Sequence, residues 1–161
     1  MNKTCSALLL ALVLWLSIIH ASCRKKDHSK EPAATEEAGS GVAQPVSLQP
    51  FAEFPEEIIG CSCVFSADSV AYEQEQFLYA DDMEKIAYVN INGTLTRLLV
   101  TERHFSEPQL SIRAANETYR LALEANQLRE YGEVTYLKGT LTLTDQSGTL
   151  VQLPVFGMCG C

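Results

Sequence analysis

The chain has 161 residues, enough for one domain of ordinary size, with 47% hydrophobic residues and a formal net charge of −8. The acidity is concentrated in the second part: from residue 50 onward seven Lys/Arg stand against sixteen Asp/Glu, a net of −9. Such a surface repels phosphate backbones, which argues against a nucleic-acid partner and leaves a cationic one open.

The first element in the chain is an export signal over residues 1–22. Lys3 gives a basic start, "ALLLALVLWLSII" (Ala7 to Ile19) is an unbroken apolar run, and small residues and Cys23 follow at once. The run is too short for a comfortable membrane span and has the build of a cleaved signal. Its end, Ala21-Ser22-Cys23, resembles the lipobox of bacterial lipoproteins. The resemblance implies that Cys23 is acylated (the palmitate-type anchor of that class), becomes the mature N-terminus and ties the protein to a lipid bilayer of the bacterial cell envelope. The alternative is ordinary secretory cleavage, with Cys23 left as a free thiol. Cysteine arithmetic favours lipidation: Cys5 leaves with the signal, lipid takes Cys23, and four cysteines remain in two matched pairs.

Residues 23–50 read as a tether. Arg24 to Pro50 holds no aromatic residue and almost no large aliphatic, so it offers too little apolar surface to offset the entropy of ordering. A flexible coil of this length spans about 30 Å, a distance suited to holding a domain off a membrane. The Arg24-Lys25-Lys26 cluster either touches anionic headgroups or simply begins a solvated linker. His28 has no partner in sequence and no role.

Residues 51–161 form the folded domain, and their period is close to two. "TYRLALE" alternates Tyr119, Leu121 and Leu123 against Arg120, Ala122 and Glu124; "TLTLT" sets Leu141 and Leu143 against three threonines. "IAYVNINGTLTRLLV" is a hairpin signature around Asn92-Gly93. A two-residue turn sets Val89 opposite Thr96; a three-residue bulged loop sets it opposite Leu95 and groups the apolar residues, which favours the bulged form. "TDQSG" (Thr144 to Gly148) is a further turn, and Pro154 in the last strand marks an edge or a bulge there. The stretches "SADSVAYEQEQ" and "TERHFSEPQLSIRAANE" are loop candidates, either of which has room for a short helix. Asn92 and Asn116 head glycosylation-type sequons, which in a bacterial context are plain turn chemistry. The expected fold is all-β: a small antiparallel barrel or sandwich of about 7–9 short strands, closed on itself to hide its edges.

His104, Phe105 and the dipeptide Asp81-Asp82 are the residues that invite a functional role, but isolated residues of this kind are usually solvated. No Ser/His/Asp logic, zinc-protease spacing or glycine-rich phosphate loop is present, so the sequence argues for no enzyme and no cofactor.

Chemistry concentrates in two Cys-x-Cys motifs, Cys61/Cys63 and Cys159/Cys161. Residues two apart on a strand share a face, so neighbouring first and last strands would gather the four sulfurs. Export to an oxidising compartment favours disulfides, paired either Cys61–Cys161 with Cys63–Cys159 or Cys61–Cys159 with Cys63–Cys161. One such crosslink over about 100 residues contributes about 4.7 kcal/mol through chain entropy, and the second adds much less. A first alternative is a four-thiolate zinc or copper site, although same-face positions about 7 Å apart on a flat strand suit tetrahedral zinc poorly. A second is a redox dithiol within "CGC" that opens and closes a small ring.

The whole reads as a membrane-tethered, disulfide-closed β domain with a non-enzymatic binding or structural role. In its signal, barrel size, cysteines joining early and late strands, and acidic balance it resembles small periplasmic lipoproteins that inhibit lysozyme. That resemblance implies binding to a cationic envelope protein. "AANETYRLAL" (Ala114 to Leu123) is similar to their Ser-Gly-x-x-Tyr segment without its Ser-Gly, so no inhibitory residue is assigned.

Overall fold

Alternating side chains build the molecule, as the period of two requires. The structure, a computed structural model, describes residues 45–161; the signal, Cys5, Cys23, the Arg24-Lys25-Lys26 cluster and His28 lie outside the described residues. Among the described residues nine strands occur: β1 Leu48–Gln49, β2 Ser62–Ser66, β3 Phe77–Asp81, β4 Ile86–Ile91, β5 Thr94–Ser106, β6 Gln109–Ala115, β7 Tyr119–Tyr131, β8 Val134–Asp145 and β9 Leu150–Gly160. One short helix, α1 Ser69–Glu73, joins β2 to β3, capped by Asp68, whose Oδ1 accepts the Ala71 N–H at 2.8 Å.

Strands β2 to β9 pair in succession, every pair antiparallel, and β9 returns to pair with β2. The result is a closed eight-stranded up-and-down barrel with β1 added beside β4. Closure removes the sheet edges that a sequence rich in β-formers must otherwise protect. The expected all-β antiparallel fold is therefore the observed one, in its barrel form.

The inner face carries Cys63, Phe65, Tyr79, Val89, Leu98, Ile112, Leu123, Leu137, Leu141, Leu143 and Val155, all buried. Phe65 and Tyr79 are cross-strand partners with rings edge to face, centroids 6.1 Å apart. A second, outer cluster of Phe51, Ile58, Val64, Ala80 and Tyr88 lies on the other face of β2, β3 and β4. These strands are thus apolar on both faces, which is why "CVF" and "FLYA" run without alternation.

Three expectations are corrected. The hairpin around Asn92-Gly93 has the two-residue turn, with Val89 opposite Thr96. Both turn residues have positive φ (52° and 85°), which Asn and Gly tolerate and the flanking strand twist favours. Grouping apolar residues across the hairpin misled because Leu95 and Leu99 belong to the outer face, where they are exposed. The stretch "TERHFSEPQLSIRAANE" is a strand hairpin, not a loop: β5 and β6 run through it and turn at a cis Glu107-Pro108 bond. Residues 46–50, read above as tether, are held on the barrel. Val46 and Leu48 pack against the inner cluster, and the Ser47 N–H donates to Asn92 Oδ1 at 2.8 Å. The other loop candidate does carry a short helix, α1. Pro154 sits where β9 pairs only with β8, so its missing N–H breaks no ladder toward β2.

Candidate functional site at the cystine mouth

Up-and-down topology fixes which residues meet at each end of the barrel. One end collects the start of β2, the end of β9 and the turns β3–β4, β5–β6 and β7–β8. Cys61 and Cys63 therefore meet Cys159 and Cys161 there, and Cys63 pairs directly with Cys159 in the β2–β9 ladder. The bonds are Cys61–Cys161 and Cys63–Cys159, the first of the two pairings left open by the sequence. Gly160 between the last two cysteines has a steric reason: a Cβ there would lie 2.8 Å from the Glu133 carbonyl oxygen.

With each of the four sulfurs held in an S–S bond, no thiolate set is offered to a metal. Both bonds run between strands, so no small ring closes within "CGC" and that form of the redox reading is also corrected. Among the described residues, no group of three or more His, Cys, Asp or Glu is placed to hold a metal ion.

Behind the cystines lies a buried polar network that the sequence does not announce. Asp81, at the end of β3, is fully buried and accepts from the Tyr79 hydroxyl at 2.5 Å, from Arg103 Nη2 at 2.5 Å and from the Met83 N–H at 2.7 Å. Arg103 also points Nη1 at Cys63 Sγ, 3.4 Å away, so one guanidinium joins the carboxylate to a disulfide. Burial holds the Tyr79 hydroxyl well above the usual tyrosine range, and the Asp81 charge adds to the effect while Arg103 opposes it. Asp82, by contrast, is a turn residue: its Oδ1 accepts the N–H groups of Glu84, Lys85 and Ile86. Burial alone would raise its pKa, but those backbone donors outweigh it and bring the pKa below 3.8.

Above this network the mouth opens into a cavity of about 260 Å³, lined by Met83, Phe105, Leu110, Leu137 and the last two cysteines on the apolar side. Arg103, Glu133 and Thr135 supply its polar groups. The turns around it carry Asp82, Glu84, Glu107 and Glu133 against Lys85, and the end of β7 adds Glu130 and Arg129. Arg129 lies over the Tyr136 ring at 4.4 Å.

The other candidates fall elsewhere. His104 alternates with Phe105 along β5 and is exposed, whereas Phe105 faces the cavity with half its surface open. Asn92 and Asn116 occupy turns at the opposite end of the barrel; Asn92 accepts from Ser47, and Asn116 accepts from the Thr118 and Tyr119 N–H groups and donates to the Arg97 carbonyl. The Ala114–Leu123 segment also turns at that opposite end, away from the cystines. Arg103 is the residue of this site that sequence reasoning missed. It lies 40 residues from Cys63, in a stretch whose polar composition reads as loop.

Comparison with protein-family models, curated proteins and solved structures finds no match for this chain. The site is therefore read from its own geometry.

Proposed function

We propose that the chain is a lipid-anchored envelope protein whose barrel serves as a non-enzymatic binding module, with the cystine mouth as its binding face and a cationic protein as its partner. The observation that carries the reading is the combination of an apolar floor with an acidic rim at one opening. A lysine or arginine side chain fits both parts, because its aliphatic stem lies along apolar surface while its charge remains among carboxylates. The Arg103 charge does not oppose this, since Asp81 is its immediate counter-ion. Net acidity over the rest of the domain raises the encounter rate with a basic partner at low salt.

The anchor and the tether give this module its place. Acylation at Cys23 with some twenty residues of polar linker before the barrel sets the mouth free to meet partners in the envelope.

Two experiments test the parts separately. Cells fed a fatty-acid probe label the parent chain and not Cys23→Ser; a parent that takes up no label removes the anchor. A lysozyme, as a basic envelope-active probe, binds the purified protein at low salt, and Glu107→Lys with Glu133→Lys weakens binding about tenfold or more, as expected for reversing two rim charges. Equal binding by the charge-reversed variant removes the mouth from the account.

A further inference from the structure

We propose that the Cys63–Cys159 bond is a thiol–disulfide exchange site, with Cys159 as the sulfur that is attacked, Cys63 as the leaving thiolate, and a dithiol as the substrate class. The inference is independent of the cationic partner. It rests on the asymmetry of the two sulfurs.

Cys159 and Cys161 both line the open cavity, and it is the Arg103 contact to the fully buried Cys63 that singles out the Cys63–Cys159 bond. A thiol entering the mouth therefore reaches the bond from the Cys159 side. The leaving sulfur is the one that Arg103 touches, through Nη1 at 3.4 Å. A cation against a departing sulfur lowers its thiol pKa, and a lower leaving-group pKa speeds exchange. Asp81 is the cross-strand neighbour of Cys63 and acts in the opposite sense. Its carboxylate is already engaged by the Tyr79 hydroxyl, Arg103 Nη2 and the Met83 N–H, which leaves Nη1 as the group in contact with sulfur.

A substrate thiolate forms a bond to Cys159 Sγ, the Cys63–Cys159 bond breaks, and Cys63 departs as the thiolate. The second thiol of the substrate, once deprotonated, attacks its own sulfur in the mixed disulfide and releases the Cys159 thiolate. Two protons taken up from water complete two protein thiols, the substrate leaves as a disulfide, and two electrons have passed to the protein. Cys61–Cys161, two residues away, joins the same two strands throughout, and the β2–β9 hydrogen-bonded ladder from Ser62 to Ser66 remains. One clasp thus holds the seam while the other opens, which gives the doubled motif a purpose.

The test is graded reduction of the full chain with dithiothreitol, followed by alkylation and peptide mapping, with glutathione in parallel to mark the attacked sulfur. Cys63–Cys159 opens first with the strand signal in circular dichroism retained, and the glutathione adduct sits on Cys159. Arg103→Gln slows opening about tenfold, the order expected for losing one charge-assisted contact to the leaving sulfur, and Arg103→Lys restores part of the rate. Opening of Cys61–Cys161 first, an adduct on Cys63, or reduction only with loss of the strand signal overturns the proposal. A folded Arg103→Gln that opens at the parental rate overturns it too. Should that variant fail to fold, the opening order and adduct position in the parent decide.

Discussion

Arg103 on β5 and Asp81 on β3 meet inside the cystine mouth with Nη2 2.5 Å from Oδ2, although the two strands are not hydrogen-bonded neighbours. The carboxylate has no exposed surface and the guanidinium side chain is 19% exposed, so this pair belongs to the barrel's interior rather than its surface. Removing one partner leaves the other charge buried alone. Asp81→Ala also leaves the Tyr79 hydroxyl without its acceptor. The expected loss of stability is about 3–5 kcal/mol in urea unfolding. The exposed pairs Arg113–Glu124 and Arg97–Glu57 set the contrast, with an expected loss of at most about 1 kcal/mol on removal of either partner. Equal, small losses at all three pairs would show that the mouth network bears no weight in the fold.

The loss of one cystine is expected to cost far less while the other remains than the loss of both. Replacing all four cysteines by serine removes closure of loops of 96 and 100 residues and costs more than the roughly 4.7 kcal/mol of one such crosslink. Replacing only Cys63 and Cys159 costs about 2 kcal/mol by the same relation, because Cys61–Cys161 leaves only a few-residue loop to close. Urea unfolding of the three proteins measures both figures. Equal losses for the single-pair and four-cysteine variants would contradict the shared-seam account.

Stability should fall at both ends of the pH range. Asp82 and Asp145 have folded pKa values below the ordinary aspartate value of 3.8. For Asp82, burial opposes the shift and backbone donors produce it; for Asp145, the Ser147 hydroxyl bond leads, burial opposes, and backbone donors complete it. The unfolded chain then binds protons more readily, so their contribution is present above about pH 4 and is lost as pH falls through the folded values. Tyr79 works in the other direction. Burial first, and the Asp81 charge second, keep it protonated in the fold while the unfolded chain ionises near pH 10. Its contribution is full below that value and declines as pH rises beyond it. Thermal unfolding against pH checks both limbs, and the Tyr79→Phe variant, which has no hydroxyl to ionise, should show a shallower alkaline one.

Much of the barrel was legible because strand chemistry is local. The alternation in "TYRLALE" and "TLTLT" shows up as facing runs of β7 and β8, with Leu121 opposite Leu143 and Leu123 opposite Leu141. The meeting of the two cysteine motifs followed from the need to close a sheet. Two things were not legible. Thr101 to Ser106 reads as loop because its side chains are mostly polar, yet as one lip of an open barrel end it has little core to face. Asp81 reads as a solvated turn residue because its partners, Arg103 and Tyr79, are brought to it by closure and strand face rather than by any motif. Pairing between distant strands is a property of the whole barrel, and no local window contains it.

In the proposed function the cystine mouth, rather than some other acidic surface, receives a basic partner. The most direct measurement is an NMR titration of the labelled protein with a lysozyme at low salt, following backbone amide shifts residue by residue. Shifts are expected to gather at Met83, Phe105, Glu133, Thr135 and Gly160, weakening with added salt as screened charges require. Shifts confined to Glu53, Glu56 and Glu57 or to the Asp145 turn, with the mouth unmoved, would contradict it.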